Sequence, residues 1–144
     1  MTIEEIYAEW GKDAPIDPTD IAAESINIPR LRVKYLRWHT NEKLAFIKLE
    51  TEYKQLKFEK YEFYTQGPTK ETQEKGWTLP PIGRPLTKDL PLYLDADRDL
   101  IDKSLRLAAQ REKVDILTDV LHSLKDRGYW IKNHIEKLKF DAGA

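Results

Sequence analysis

From Leu107 to Leu138 the apolar residues return at three- and four-residue multiples: Leu107, Val114, Leu117, Leu121, Leu124, Ile131, Ile135 and Leu138. That spacing collects them on one side of a long helix, the pattern of a helix packed lengthwise on another. Lys103 and Gln110 are polar members of the same seam, and Gly128 fills one of its slots. A chain of 144 residues with so much apolar content on long helices is expected to cover the seam by self-association. The expected contacts are Val114, Leu117, Leu121, Leu124, Ile131, Ile135 and Leu138.

Upstream, Ile3, Ile6 and Trp10 share one side of a short amphipathic helix that Gly11 and Pro15 end. Asp17-Pro18-Thr19-Asp20 reads as a helix start, with Asp17 as N-cap and Pro18 at the first helical position. Proline removes a donor and clashes with the preceding turn, so a break is expected near Pro29. The pattern then continues through Leu31, Leu36, Leu44, Ile47, Leu49, Leu56 and Phe63, with no Gly or Pro for 37 residues. Residues 67–94 hold five of the eight prolines and three of the six glycines, which predicts an irregular connector with an extended piece around Leu90 to Leu94. Trp77 sits there with no obvious partner. Asp95-Ala96-Asp97 opens the second long helix, which Gly128 either interrupts or adapts to a close helix contact.

The expected protomer is therefore all-α. It has two long helices, about 18–66 and 96–139, a short N-terminal helix and a connector, and it assembles into a ring homo-oligomer. Three regions follow: a helical region over 1–66 with an acidic arm and a basic segment, a connector over 67–94, and an oligomerisation helix over 95–144.

Charged residues make up 34% of the chain and the mean hydropathy is −0.66, a composition that suits long exposed helices. With no cysteine, disulfides and thiolate metal sites are excluded, and a reducing compartment fits. No run of about 18 apolar residues is present and the acidic N-terminus does not read as a signal peptide, so an intracellular protein with no membrane contact is expected. The net charge of −1 conceals an asymmetry. Residues 1–29 balance to −6 and residues 30–60 to +5, placing an anion-attracting stretch beside an acidic arm.

Motifs for catalysis are missing: no Gly-rich phosphate loop, no GxSxG and no thiol nucleophile. His39, His122 and His134 lack the spacing of a helical metal pair. Neither an enzyme, a metal site nor a cofactor is expected. The basic segment is the better lead. Arg30, Lys34 and Arg37 share a helix face, Arg32 points elsewhere, and Tyr35, Trp38 and His39 are interleaved; Lys54, Lys57 and Lys60 follow with Phe58, Tyr61, Phe63 and Tyr64. Cations track phosphates while rings stack on unpaired bases, the chemistry of single-stranded nucleic acid binding. The bland reading makes the cations a solvated face and the aromatics core. Repetition around an oligomer favours the binding reading, because weak basic patches then act with avidity.

Ile16-Asp17-Pro18-Thr19, Glu24-Ser25, Lys34-Tyr35-Leu36 with His39, Lys48-Leu49-Glu50, Glu62-Phe63-Tyr64 and Leu94 through Asp99 stand in an order that resembles the UvsY recombination mediators of T-even phages. Arg127-Gly128-Tyr129, Ile131-Lys132 and Phe140-Asp141-Ala142-Gly143 continue the match. The resemblance implies a non-enzymatic homo-oligomer of about six or seven subunits that binds single-stranded DNA in the cytoplasm of the infected bacterium. It also implies contact with the phage single-strand DNA-binding protein and the RecA-like recombinase UvsX, the second replacing the first. One DNA-binding cation of the family matches Lys60, while the other falls on Phe58, with Lys57 next to it as a substitute. The rival reading is an oligomeric coiled-coil adaptor that ignores DNA.

Overall fold

A computed structural model describes residues 1–143. It consists of five helices: α1 (Ile3–Asp13), α2 (Ile21–Gln66), α3 (Lys70–Glu74), α4 (Leu90–Ala96) and α5 (Arg98–Asp141). Among the described residues there is no strand, and the all-α expectation holds. No described helix is long and apolar enough to cross a membrane.

Local chemistry sets the helix ends. Thr2 and Glu5 form a capping box at α1. The start of α2 lies beyond the expected one, because Asp17 is occupied in a turn. Its Oδ1 accepts from the Thr19 amide at 2.9 Å and the Thr19 hydroxyl at 2.6 Å, an Asx-type competitor of the helix. Asp20 caps instead, accepting from the Ala23 amide at 3.2 Å.

The expected break near Pro29 is absent, and α2 runs through it. Proline deprives the Ser25 carbonyl of its donor, but Ser25 and Pro29 are both exposed, so water can satisfy that carbonyl. The next turn is anchored by buried Leu31 and Tyr35. Burial outweighs a proline penalty of about 3 kcal/mol. Gly128 likewise neither interrupts α5 nor marks a close contact, since a Cβ there would meet nothing within 4 Å.

The connector is more ordered than its proline content suggests. Leu90 to Leu94 is helical, not extended. Pro91 sits in the first turn, where a missing N–H costs nothing, and Leu90 is buried. Trp77 has partners: its ring meets Phe63 edge-on at 5.6 Å.

The chain divides into two compact units, residues 1–44 with 110–144, and residues 45–109. In the first, Ile6 of α1, Leu31 and Tyr35 of α2, and Leu117, Val120 and Leu124 of α5 form the core. Here the seam of α5 finds its cover within the chain. Leu117, Leu124 and Ile131 are buried in the protomer itself, while Val114 and Leu121 are half-buried. The expectation that these residues face another subunit is corrected for the buried three: α1 and α2 pack on Leu117 and Leu124, and Ile131 is already covered within the protomer. Ile135 and Leu138 remain exposed. Arg127, buried between Leu124 and Ile131, donates to the Asp13 and Ala14 carbonyls at 2.8 and 2.6 Å, satisfying the open end of α1.

In the second unit, Phe63, Tyr64 and Leu90 form the core, with Trp77, Leu79, Tyr93 and Leu94 against it.

Candidate nucleic-acid interface

Within the second unit, α2 turns Tyr53, Leu56, Lys60, Phe63 and Tyr64 inward, where each is buried or half-buried. The neighbouring side presents Lys54, Lys57, Phe58 and Tyr61, with Lys57 at its edge beside Tyr53. Their i, i+3, i+4, i+7 spacing places them on one helical face, and all four are exposed, Phe58 by 60% and Tyr61 by 48%. Lys57 has no ion pair among the described residues. Lys54 meets Glu50 at 3.1 Å, but the lysine side chain is 73% exposed, and such surface pairs are weak and exchangeable. Two cations and two open rings on one face offer both phosphate attraction and base stacking.

Lys60 belongs elsewhere. It is only 4% exposed, with its ammonium 3.1 Å from Asp97 Oδ2, 2.7 Å from Asp99 Oδ2 and 4.0 Å from the Trp77 ring centroid. Asp97 also accepts from Tyr64 Oη at 2.7 Å and caps α5 through the Leu100 amide at 3.1 Å. Burial first, then the Asp97 hydrogen bond, pushes the Tyr64 hydroxyl well above the ordinary tyrosine value. The expectation of Lys60 as a DNA contact does not fit this burial. Its spacing of four from Leu56 and Tyr64, and three from Phe63, was the signal that it lies on the covered face.

In the first unit Arg30, Arg32 and Arg37 are exposed and hold no ion pair among the described residues. Lys34 differs: its ammonium is 3.1 Å from Glu9 and 2.7 Å from Asp13, so its charge is neutralised at home. Of the interleaved aromatics, Tyr35, Phe63 and Tyr64 are core, and Trp38 packs edge-on against Tyr35 at 5.1 Å. Only Phe58 and Tyr61 of that set are open to a ligand. His39 is held below the ordinary imidazole value by burial and then by Lys43; its Nε2 is 3.0 Å from Thr118 Oγ1. His134 stacks on Trp130 at 5.2 Å.

The Lys34 cluster makes stability pH-dependent. Burial raises the Asp13 carboxyl, but hydrogen bonds from Lys34 and Tyr35 and the nearby charges overcome it, leaving the group below its ordinary 3.8. Burial lowers Lys34, yet Asp13 and Glu9 hold it above its ordinary 10.5. Burial and then Asp13 push the Tyr35 hydroxyl far above its ordinary 10.0. A depressed acid contributes stability above its unfolded value and loses it as pH falls through the folded one. A raised Lys or Tyr contributes below its unfolded value and loses this as pH rises through the folded one. The expected melting profile is a plateau between about pH 4 and pH 10 that falls on both sides. Asp13→Asn should flatten the acid limb in thermal melts followed by circular dichroism; an unchanged limb would refute the assignment.

Comparison with known proteins addresses the family of the chain. A family model described as the recombination, repair and ssDNA binding protein UvsY matches residues 9–144. The recombination protein uvsY of Enterobacteria phage T4 is 26% identical over 145 residues, covering 99% of this chain and 99% of that protein. A crystal structure of the bacteriophage T4 recombination mediator protein UvsY superposes with a TM-score of 0.86 at 23% identity, covering 99% of this chain and 98% of that one. A second lattice of the same protein gives 0.79 at 23% identity, with 98% and 99% covered. At that identity the superpositions show a shared fold, and the family match extends over nearly the whole sequence. The chain belongs to the UvsY family of recombination, repair and single-stranded DNA-binding proteins.

Proposed function

We propose that this chain is a recombination mediator that binds single-stranded DNA through the Lys54, Lys57, Phe58 and Tyr61 face of α2. The observation that carries the reading is the pairing of two exposed cations with two exposed rings on one helical face, in a chain of the UvsY family. Arg30 and Arg37, seven residues apart on one line of the first unit's helix, add a second backbone-attracting element. Lys34 and Lys60 are left out, since their charges are taken by carboxylates of the chain.

The mechanism is binding, with no chemical step, metal or cofactor. Protomers assemble into a closed ring of about six or seven copies, with the exposed end of α5, Ile135 and Leu138, contributing to assembly. Repeating the weak face around the ring holds one flexible strand with avidity. The bent strand then grips the phage single-strand DNA-binding protein less tightly and is presented to a RecA-like recombinase, UvsX, in the host cytoplasm. The sequence regions keep these roles: a DNA-binding region within 1–66, a connector over 67–94 and an assembly helix over 95–144.

The test is size exclusion with light scattering, with and without labelled oligo-dT, at several salt concentrations. A discrete oligomer that co-elutes with DNA and releases it as salt rises is the expected result, because each neutralised phosphate releases counterions. A chain that leaves the DNA free would instead be an adaptor that binds only proteins.

A further inference from the structure

The first unit carries an apolar face that its core does not use. Ile26, Val33, Leu36 and Leu44 of α2 lie on the side of the helix away from Leu31 and Tyr35, and Ile26 is 78% exposed. Beside this stripe a groove of about 430 Å³ runs between α2 and α5, floored by Ile28, Leu36, Leu121 and Leu124. Its rim is Arg32 from α2 with His122 and Lys125 from α5. A second groove of about 340 Å³ lies over Val33, Leu36, Arg37 and Thr40, so Leu36 belongs to both.

Charge identifies what fits there. Residues 25–44 contain a single acid, Glu42, and its carboxylate turns inward to accept from Gln110 at 2.6 Å. The outward cations are Arg30, Arg32, Arg37 and Lys43, all exposed and without an ion pair among the described residues. On the groove's other wall, Lys125 and His122 are also exposed. An aliphatic stripe edged on both sides by unpaired cations is complementary to an amphipathic helix with acidic flanks.

Two other occupants fit less well. Aliphatic side chains give bases no ring to stack on, and burying them against phosphates would desolvate charge without return; the rings that suit DNA are Phe58 and Tyr61, in the other unit. A two-fold contact of this face with its own copy would set like charges against like, which opposes that pairing; loss of oligomer mass in Leu36→Glu would reveal a contact with another face of a second copy.

We propose that this face of the first unit is a docking site for an acidic amphipathic helix of a partner protein. From Ile26 to Leu44 the stripe rises roughly 27 Å, about five turns. The occupant therefore presents apolar anchors at three- and four-residue steps with Asp and Glu on both sides. The inference shares Arg30 and Arg37 with the DNA reading but rests on the aliphatic stripe, so Leu36→Glu, which leaves every cation in place, separates the two.

The test uses the full chain and a fluorescein-labelled synthetic helix of about 20 residues, with Leu at a and d heptad positions and Glu at e and g. Anisotropy should show saturable binding that weakens with salt. Leu36→Glu, and separately the double change Arg32→Glu with Arg37→Glu, should each weaken it tenfold or more. Both act on exposed side chains, so circular dichroism and melting should stay unchanged. The same peptide with Lys in place of Glu, or Ser in place of Leu, should not bind. Three results would overturn the proposal: equal binding of the Ser-substituted peptide, a loss of oligomer mass in Leu36→Glu without peptide binding to the parent chain, or a tenfold loss of oligo-dT affinity in Leu36→Glu with peptide binding unaffected.

Discussion

Asp97→Ala is expected to destabilise the second unit by about 3–5 kcal/mol, the range for breaking a buried ion pair from one side. Three interactions converge on that carboxylate. It neutralises the buried Lys60 ammonium, accepts the Tyr64 hydroxyl, and caps the first turn of α5 through the Leu100 amide. Alanine leaves Lys60 with Asp99, whose side chain is half exposed, and leaves a buried hydroxyl without its acceptor. Asn keeps the cap and an acceptor for Tyr64 but not the charge, so Asp97→Asn should fall between the two. Chemical denaturation followed by tryptophan emission suits this, since Trp77 lies beneath Lys60. A loss under 1 kcal/mol in Asp97→Ala would show that the network contributes little. Lys60→Met offers the complementary test: it should change stability far more than DNA affinity.

Exchanging Lys54 and Lys57 for glutamate should weaken oligo-dT binding by about 10- to 100-fold at moderate salt. Each phosphate contact on a single strand contributes a slope of about −0.7 in log affinity against log salt. The double variant should therefore show a shallower slope as well as a weaker constant. Phe58→Ala tests the other half of the face. Losing one stacked base costs about 1–3 kcal/mol, with no change in salt slope, and Phe58→Trp should restore binding. Neither variant touches a buried residue, so oligomeric mass should be retained. DNA affinity unmoved by both would remove this face from the interface.

How much of this was legible beforehand differs from residue to residue. The helical class and the approximate reach of the long helices were plain from spacing, because a 3.6-residue period has no other economical reading. Pro29 and the Leu90 to Leu94 piece depart from expectation for one reason: burial of Leu31, Tyr35 and Leu90 outweighs local propensity there. The candidate site was half visible. Lys57, Phe58 and Tyr61 stand out in sequence, but so do Lys34, Lys60, Phe63 and Tyr64, and composition alone does not separate open side chains from covered ones.

The amino-acid sequence by itself determined that this protein is helical, that it lacks the usual catalytic motifs, and that cations gather in residues 30–60. Those properties depend on residue type and on spacing within one element. The tertiary structure alone decided which side of each helix is taken. It placed Leu117 and Leu124 against the chain's own α1 and α2, covered Ile131 within the protomer, closed Asp97 and Asp99 around Lys60, and left Phe58, Tyr61 and the Ile26 to Leu44 stripe uncovered. A periodic pattern states that a face must be buried, but the partner comes from contacts far apart in sequence, such as the 114 positions between Asp13 and Arg127. Local spacing carries no record of such contacts.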